Sequence, residues 1–399
     1  MKTALILPPT AASFEQVAGL PLIQRTVLSA LRSGFDRVVV AGGGYKDRLC
    51  TLLRTDPRTQ GVEVTNDWGA VGGGCVAVIP SNCLLTAATL EGIGGVSLDG
   101  RPLLFQVSGQ GRIALCRPAM LAEADASALT TEGGGTLWAA LDAHGAHRIP
   151  MDGEVCAPIS DARSIAAAEA ALCEQLRAEA ADSDGPLAHW VDRRISLRLS
   201  RWLVRHTSLQ PNHLTLIGTS VGFLAAAVLS AGTYWTGVVG TLLFLCATII
   251  DGCDGEVARL TFRESLFGKK FDVITDNIVH VAIFVGLALG LYRQHPGGHY
   301  FLLMAILLGG FACTGVVTYF FLVRRPGFAQ SGGAPASLKG RIRQWLLHGF
   351  EKLMNRDFAY LLVALALVGR LGWFFWGTAF GTYVFAALVV WVYRWRDAP

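Results

Sequence analysis

Between Thr207 and Ile250 the sequence holds no Asp, Glu, Lys or Arg, and four aspartates follow within a short distance. A charge-free run of that length has room for two membrane spans of about 20 residues each. A Gly/Tyr/Trp turn at residues 230–237 breaks it in two. Further spans are expected over residues 271–292 and 300–323, with a fifth starting near Phe358 and a sixth ending near Tyr393. The composition fits that reading, with 52% hydrophobic and 16% charged residues, against roughly 25% charged in soluble domains. A net charge of +4 without a long basic run excludes nucleic acid as a partner.

Six spans put both ends of the membrane region on one side. The basic residues agree, because 193–205, 259–270, 324–356 and 394–396 would share one face, while the opposite loops carry Arg293 and Arg370. Just ahead of the first span, residues 187–205 read as an interfacial amphipathic helix. Arg194, Arg198, Arg201 and Arg205 recur at helical spacing, and Val191, Ile195, Leu199 and Trp202 form an apolar stripe. The expectation is a multi-pass protein of the inner (cell) membrane, in contact with anionic lipids.

The first half differs. Short β-rich runs at 4–7, 37–41 and 75–79 alternate with helical patterns at 20–33 and 165–176, the mark of an α/β layered domain. Its opening apolar run is too short for a signal-peptide core, so this domain is expected in the cytoplasm. The nine cysteines show no C-x-x-C pair and no Cys/His cluster at zinc spacing, and read as reduced core residues. The expected domains are 1–177, a linker and juxtamembrane helix at 178–206, and a transmembrane domain at 207–399.

Acidic residues inside membrane helices are costly and usually functional. Asp251, Asp254 and Ala258 lie at i, i+3 and i+7 on one helical face, and Asp272 and Asp276 at i and i+4 on the next helix. A reversal through 263–270 would bring the two faces together. Four carboxylates at one depth repel unless cations sit between them, and hard oxygen ligands favour Mg²⁺ or Mn²⁺. Two such ions could grip a pyrophosphate during an in-line displacement. The competing reading is a membrane ion transporter with a buried carboxylate cluster.

The pattern Asp251-x-x-Asp254-Gly255-x-x-Ala258-Arg259, eight residues, Gly268, three residues, Asp272, three residues, Asp276 resembles the signature of the CDP-alcohol phosphatidyltransferase family at every fixed position. The resemblance implies that Asp251, Asp254 and Asp272 hold a metal pair, and that Asp276 is a further ligand and general base toward the acceptor hydroxyl. It also implies that Gly255 and Ala258 leave room for the cytidine nucleotide, while Arg259 contacts its phosphates. Ser265 and Gly268 match positions at the donor, and Pro211-Asn212-His213-Leu214-Thr215 is similar to a donor-contact segment, giving roles to Asn212 and Thr215. Arg324, Arg325 and Arg356 are expected at a phosphorylated polyol acceptor, where guanidinium geometry suits phosphate. The family further implies a homodimer.

The first domain resembles sugar-nucleotide nucleotidyltransferases, a Rossmann-like fold, through residues 18–40. Asp184-Gly185 and Asp192–Ser196 are similar to the junction in two-domain inositol-phosphate cytidylyltransferase/phosphotransferase fusions. Its chemistry is missing. Pro8-Pro9-Thr-Ala-Ala-Ser13 replaces the Gly-rich basic loop that would cradle a triphosphate. Pro80-Ser81-Asn82 and Pro158-Ile159-Ser160 stand where acidic metal sites are expected, although Asp161 follows the latter directly. Glycine triplets at 42–44 and 72–74 could still line a ligand cleft. The whole chain then reads as a degenerate nucleotidyltransferase joined to an enzyme that moves a substituted phosphoryl group from a CDP-alcohol to a polyol or polyol phosphate. CDP-diacylglycerol or CDP-inositol is the expected donor. A phosphatidylglycerophosphate-type synthase is the alternative within the same chemistry.

Overall fold

The computed structural model describes residues 2–67, 71, 74–98, 100–107, 111–122, 135–151, 156–181, 184–318 and 357–394. The chain divides into two compact units, Met1–Gln175 and Leu176–Pro399.

The first unit is built on a seven-stranded mixed sheet. Its strands are β1 (Lys2–Ile6), β4 (Arg37–Ala41), β5 (Glu63–Thr65), β6 (Cys75–Ile79), β8 (Leu103–Val107), β9 (Gly111–Cys116) and β10 (His147–Met151), in the order β10-β8-β9-β6-β1-β4-β5. Four neighbours, β6, β1, β4 and β5, run parallel, whereas β9 is antiparallel to both β6 and β8. The central strand β1 has Ala4, Leu5 and Ile6 fully buried, as a strand covered on both faces must. Alternation sends Ala4 and Ile6 toward α1 (Leu22–Arg32) and α3 (Ala87–Gly95), where Ile23, Val27, Leu90 and Ile93 meet them. Leu5, Val39 and Val78 face the other way, onto Leu121 of α4 (Pro118–Ala122) and Leu137 and Leu141 of α5 (Gly135–Ala143). Burying each Leu or Ile of these layers contributes roughly 1.5–3 kcal/mol.

The helix expected over 20–33 begins two residues later. Leu20 and Pro21 form β3 (Leu20–Pro21) against β2 (Gln16–Val17), around a turn in which Ala18 takes φ 47°. That conformation is costly for a residue with a Cβ. It is held by Glu169 of α6 (Ala162–Ala180), whose Oε1 accepts from the Ala18 N–H at 2.9 Å, and by Arg25, which donates to the Val17 and Ala18 carbonyls. Helix α2 (Lys46–Thr55) and the short pair β7 (Cys83–Leu85) and β11 (Cys156–Pro158) complete the unit.

The second unit is helical. Residues 188–192 form a wide turn, and α7 (Arg193–His206) follows it, so the segment expected as one helix from 187 is irregular at its start. Next come α8 (Pro211–Leu229), α9 (Tyr234–Leu260), α10 (Leu266–Gln294), α11 (Tyr300–Thr318), α12 (Phe358–Leu367) and α13 (Leu371–Arg394). Among the described residues α8, α9 and α10 are long and apolar enough to cross a membrane, with 19, 27 and 29 residues. At 1.5 Å per residue the shortest reaches about 28 Å, close to the hydrocarbon thickness.

Small residues let α8 and α10 approach closely. Gly286 lies against the Ala226 carbonyl and Gly290 against that of Leu229, where a Cβ would collide. The reversal between α9 and α10 is shorter than expected, occupying residues 261–265 with Phe262 at φ 57°. Ser265 then caps α10, its Oγ accepting from the Gly268 N–H at 2.9 Å. Asp272 therefore sits in the second turn of a helix rather than just after a loop.

Candidate active site

Asp251 and Asp254 project from α9 and Asp272 from α10, with one carboxylate oxygen of each lying within 4.8 Å of the others. Asp254 is 7% exposed, and the other two are half-buried. At an effective dielectric of about 20, two unit charges at that separation repel by about 3.5 kcal/mol. The Thr215 hydroxyl, on α8, donates to Asp254 Oδ2, which offsets only part of the repulsion. An all-oxygen donor set of three carboxylates fits a hard divalent cation.

Asp276 lies one turn further along α10 and falls outside that group of three. It lines a cavity of about 410 Å³ in this unit together with Asp251, Thr248, Asn277 and His280. The far wall is apolar, formed by Phe284, Leu307, Phe311 and Phe374. Three of the four aspartates thus come together, and the fourth, Asp276, lines the adjoining cavity.

The expected donor-contact residues fall into two groups. On α9, the buried Arg259 Nε has no hydrogen-bond partner, and the guanidinium stands 3.7 Å from where a Cβ on Gly255 would be. A bare cationic donor beside a glycine is a cradle for an anion. Ala258 is half-buried, and its carbonyl accepts from the Arg263 N–H at 2.8 Å. At the start of α10, a Cβ on Gly268 would stand 3.0 Å from Ser265 Oγ and 3.5 Å from Asn212 Oδ1, which places those three residues side by side. Two residues have structural duties: Ser265 caps its helix, and Thr215 holds Asp254. Arg324, Arg325 and Arg356 lie outside the described residues.

Sequence reasoning missed a polar network behind the aspartates. Glu256, two residues after Asp254, is fully buried and accepts from Arg193 Nη1 at 3.0 Å, from Ser196 Oγ at 2.6 Å and from Ser200 Oγ at 2.8 Å. Arg193 also grips Asp184 in a two-pronged pair, Nε to Oδ2 at 2.6 Å and Nη2 to Oδ1 at 3.1 Å. Burial alone would lower the Arg193 pKa, but Asp184 and Glu256 outweigh it and raise it above the ordinary arginine value. On the other side of the same segment, Asp357 accepts from the N–H groups of Leu187 and Ala188 at 3.3 and 2.8 Å, and Tyr360 donates to Asp192. Gly185 lies so close to the Asp357 carboxylate that a Cβ would collide. The available signals were Glu256, a further acid beside the motif aspartates, and the Asp184 and Asp192–Ser196 segment already singled out in the sequence.

Residues 208–392 match the model of the CDP-alcohol phosphatidyltransferase family. A bifunctional IPC transferase and DIPP synthase of Rubrobacter xylanophilus is 40% identical over 111 residues, which cover 28% of this chain and 24% of that protein. An archaetidylinositol phosphate synthase of Methanothermobacter thermautotrophicus is 38% identical over 89 residues, covering 20% of this chain and 45% of that one. The matched stretches thus span about a quarter to under a half of these relatives' lengths. Among solved structures, a phosphatidylinositol phosphate synthase of Mycobacterium tuberculosis with CDP-DAG bound covers 51% of this chain and 92% of its own, at 20% identity and a TM-score of 0.31.

Proposed function

We propose that the chain transfers a substituted phosphoryl group from a CDP-alcohol to a hydroxyl of a polyol or polyol phosphate, such as inositol phosphate, and releases CMP. The convergence of Asp251, Asp254 and Asp272 beside a cavity that Asp276 also lines carries this reading. Enzymes of the family depend on a divalent metal. Asp251, Asp254 and Asp272 would hold it, as two Mg²⁺ ions or Mn²⁺ in their place. When bound, the metal neutralises charge on the pyrophosphate and on departing CMP.

The chain's own residues do the rest. Arg259 binds a donor phosphate, and Gly255 keeps the α9 surface low enough for the nucleotide. Asn212 and Gly268 line the donor's approach, with Ser265 and Thr215 fixing the local geometry. Asp276 takes the proton from the acceptor hydroxyl as the new P–O bond forms and the bond to CMP breaks. Arg324, Arg325 and Arg356 supply cations for a phosphate on the acceptor. We place six spans in the inner membrane, with the first domain and the site on the cytoplasmic side, in a homodimer.

The first unit we read as a nucleotidyltransferase-type domain without its chemistry. Ser81 donates to the Pro8 carbonyl at 2.8 Å, and the Ser13 hydroxyl donates to Ser81 Oγ at 3.2 Å. Both serines are buried, which supports a loop tied down on itself rather than a phosphate cradle. CDP-diacylglycerol is then the donor, with CDP-inositol from another protein as the variant.

The test is CMP release by purified protein with Mg²⁺, CDP-diacylglycerol or CDP-inositol, and a panel of polyols and polyol phosphates. Release that depends on one class of acceptor is expected. No release with any pair would overturn the reading.

A further inference from the structure

We propose that His280 binds the acceptor through a second hydroxyl, next to the one that reacts, so that the site selects a polyol over a simple alcohol. The inference rests on the phosphotransferase reading of the same site. His280 lies one turn beyond Asp276 on α10 and lines the same cavity. Its Nδ1 is 2.7 Å from the Asp276 carbonyl oxygen, which can only accept, so Nδ1 carries the proton. That leaves Nε2 as a lone-pair acceptor, and it makes no hydrogen bond among the described residues.

The ring cannot turn away easily. Phe244 meets it edge-on with centroids 5.9 Å apart, and Phe358 lies 5.4 Å off at a tilt. A neutral acceptor held rigidly by two phenylalanines suits an O–H donor and offers nothing to a phosphate oxygen. Metal coordination is less apt, because the three clustered carboxylates lie elsewhere and His280 is not among them.

The spacing sets the ligand class. The four residues from Asp276 to His280 advance about 6 Å along the helix axis. Two hydroxyls on adjacent carbons, with a hydrogen bond of about 2.8 Å at either end, bridge that separation. Asp276 would take the reacting hydroxyl and His280 Nε2 its neighbour. The carboxyamide of Asn277, whose Nδ2 donates to the Val273 carbonyl at 2.6 Å, flanks the same wall with its oxygen left for the ligand.

The experiment compares inositol phosphate with a set of its monodeoxy analogues in the CMP-release assay, in wild type, His280→Phe and His280→Gln. Phe keeps the aromatic packing and removes Nε2, while Gln returns an acceptor at that reach. Wild type is expected to prefer the complete polyol over one analogue by tenfold or more, since an unpaired site group discriminates strongly. His280→Phe should erase that preference and raise the acceptor KM without moving the donor KM, and His280→Gln should restore part of both. A preference retained in His280→Phe would overturn the proposal. If wild type released no CMP with any acceptor, the phosphotransferase reading would fall instead. Calorimetric titration with inositol phosphate would then decide the role of His280, and equal affinity in wild type and His280→Phe would overturn it.

Discussion

Asp254 is the most enclosed of the four motif aspartates, and its carboxylate shares a small volume with two others. Thr215 is the polar side chain seen to meet it from α8, so Thr215→Val should weaken metal binding while leaving the donor pocket's shape intact. A rise in the Mg²⁺ concentration needed for half-maximal rate, by roughly the factor of ten that one hydrogen bond to a charged group is worth, would be the readout. Asp276 stands apart from the cluster and faces the cavity. Asp276→Asn should lower kcat by about 10²–10⁴ with the metal requirement unchanged, and a shifted metal requirement would make it a ligand instead. The clustering of Asp251, Asp254 and Asp272 follows from spacing that puts each pair of motif aspartates on one face of its own helix. His280 and Glu256 were not legible in this way, since each lies on a helix that already carries the motif aspartates and its own partners come from elsewhere in the fold.

The segment from Asp184 to Ser200 ties two helices together. Arg193, Ser196 and Ser200 hold Glu256 on α9, while Asp192 and the N–H groups of Leu187 and Ala188 meet α12 and its cap. Removing one partner of a buried ion pair strands the other charge, at a cost of about 3–5 kcal/mol. Arg193→Met should therefore lower the melting temperature of detergent-solubilised protein markedly, and adding both Glu256→Gln and Asp184→Asn, which removes the two stranded charges, should recover part of the loss. A melting temperature unchanged in Arg193→Met would remove the network from the account. Along the α8–α10 seam, Gly286→Val forces a side chain into the Ala226 carbonyl and should destabilise the bundle more than Gly377→Val, where nothing lies within 4 Å. Element bounds followed the sequence where patterns were purely local. Residues 37–41 and 75–79 are strands with the expected ends. Departures came from tertiary partners, as where the pairing of Leu20–Pro21 with Gln16–Val17 delays α1, and where Asp357 reshapes the start of the α7 segment.

At the scale of the molecule, the chain joins an α/β unit and a helical unit that carries the match to the CDP-alcohol phosphatidyltransferase model. In the sequence the two halves differ in hydropathy, a β/α alternation giving way to a long charge-free run. The first unit is proposed to carry out no nucleotidyl transfer. Supplying CTP and inositol phosphate to the full chain should yield no CDP-inositol, and its formation would restore that unit as an enzyme. The most direct test of the central claim is metal-dependent CMP release from the CDP-alcohol donor, with acceptor present, in wild type and in Asp254→Asn. In wild type, release that a chelator abolishes and added Mg²⁺ or Mn²⁺ restores is expected, and none in a folded Asp254→Asn. Release that survives either the chelator or the substitution would contradict the claim.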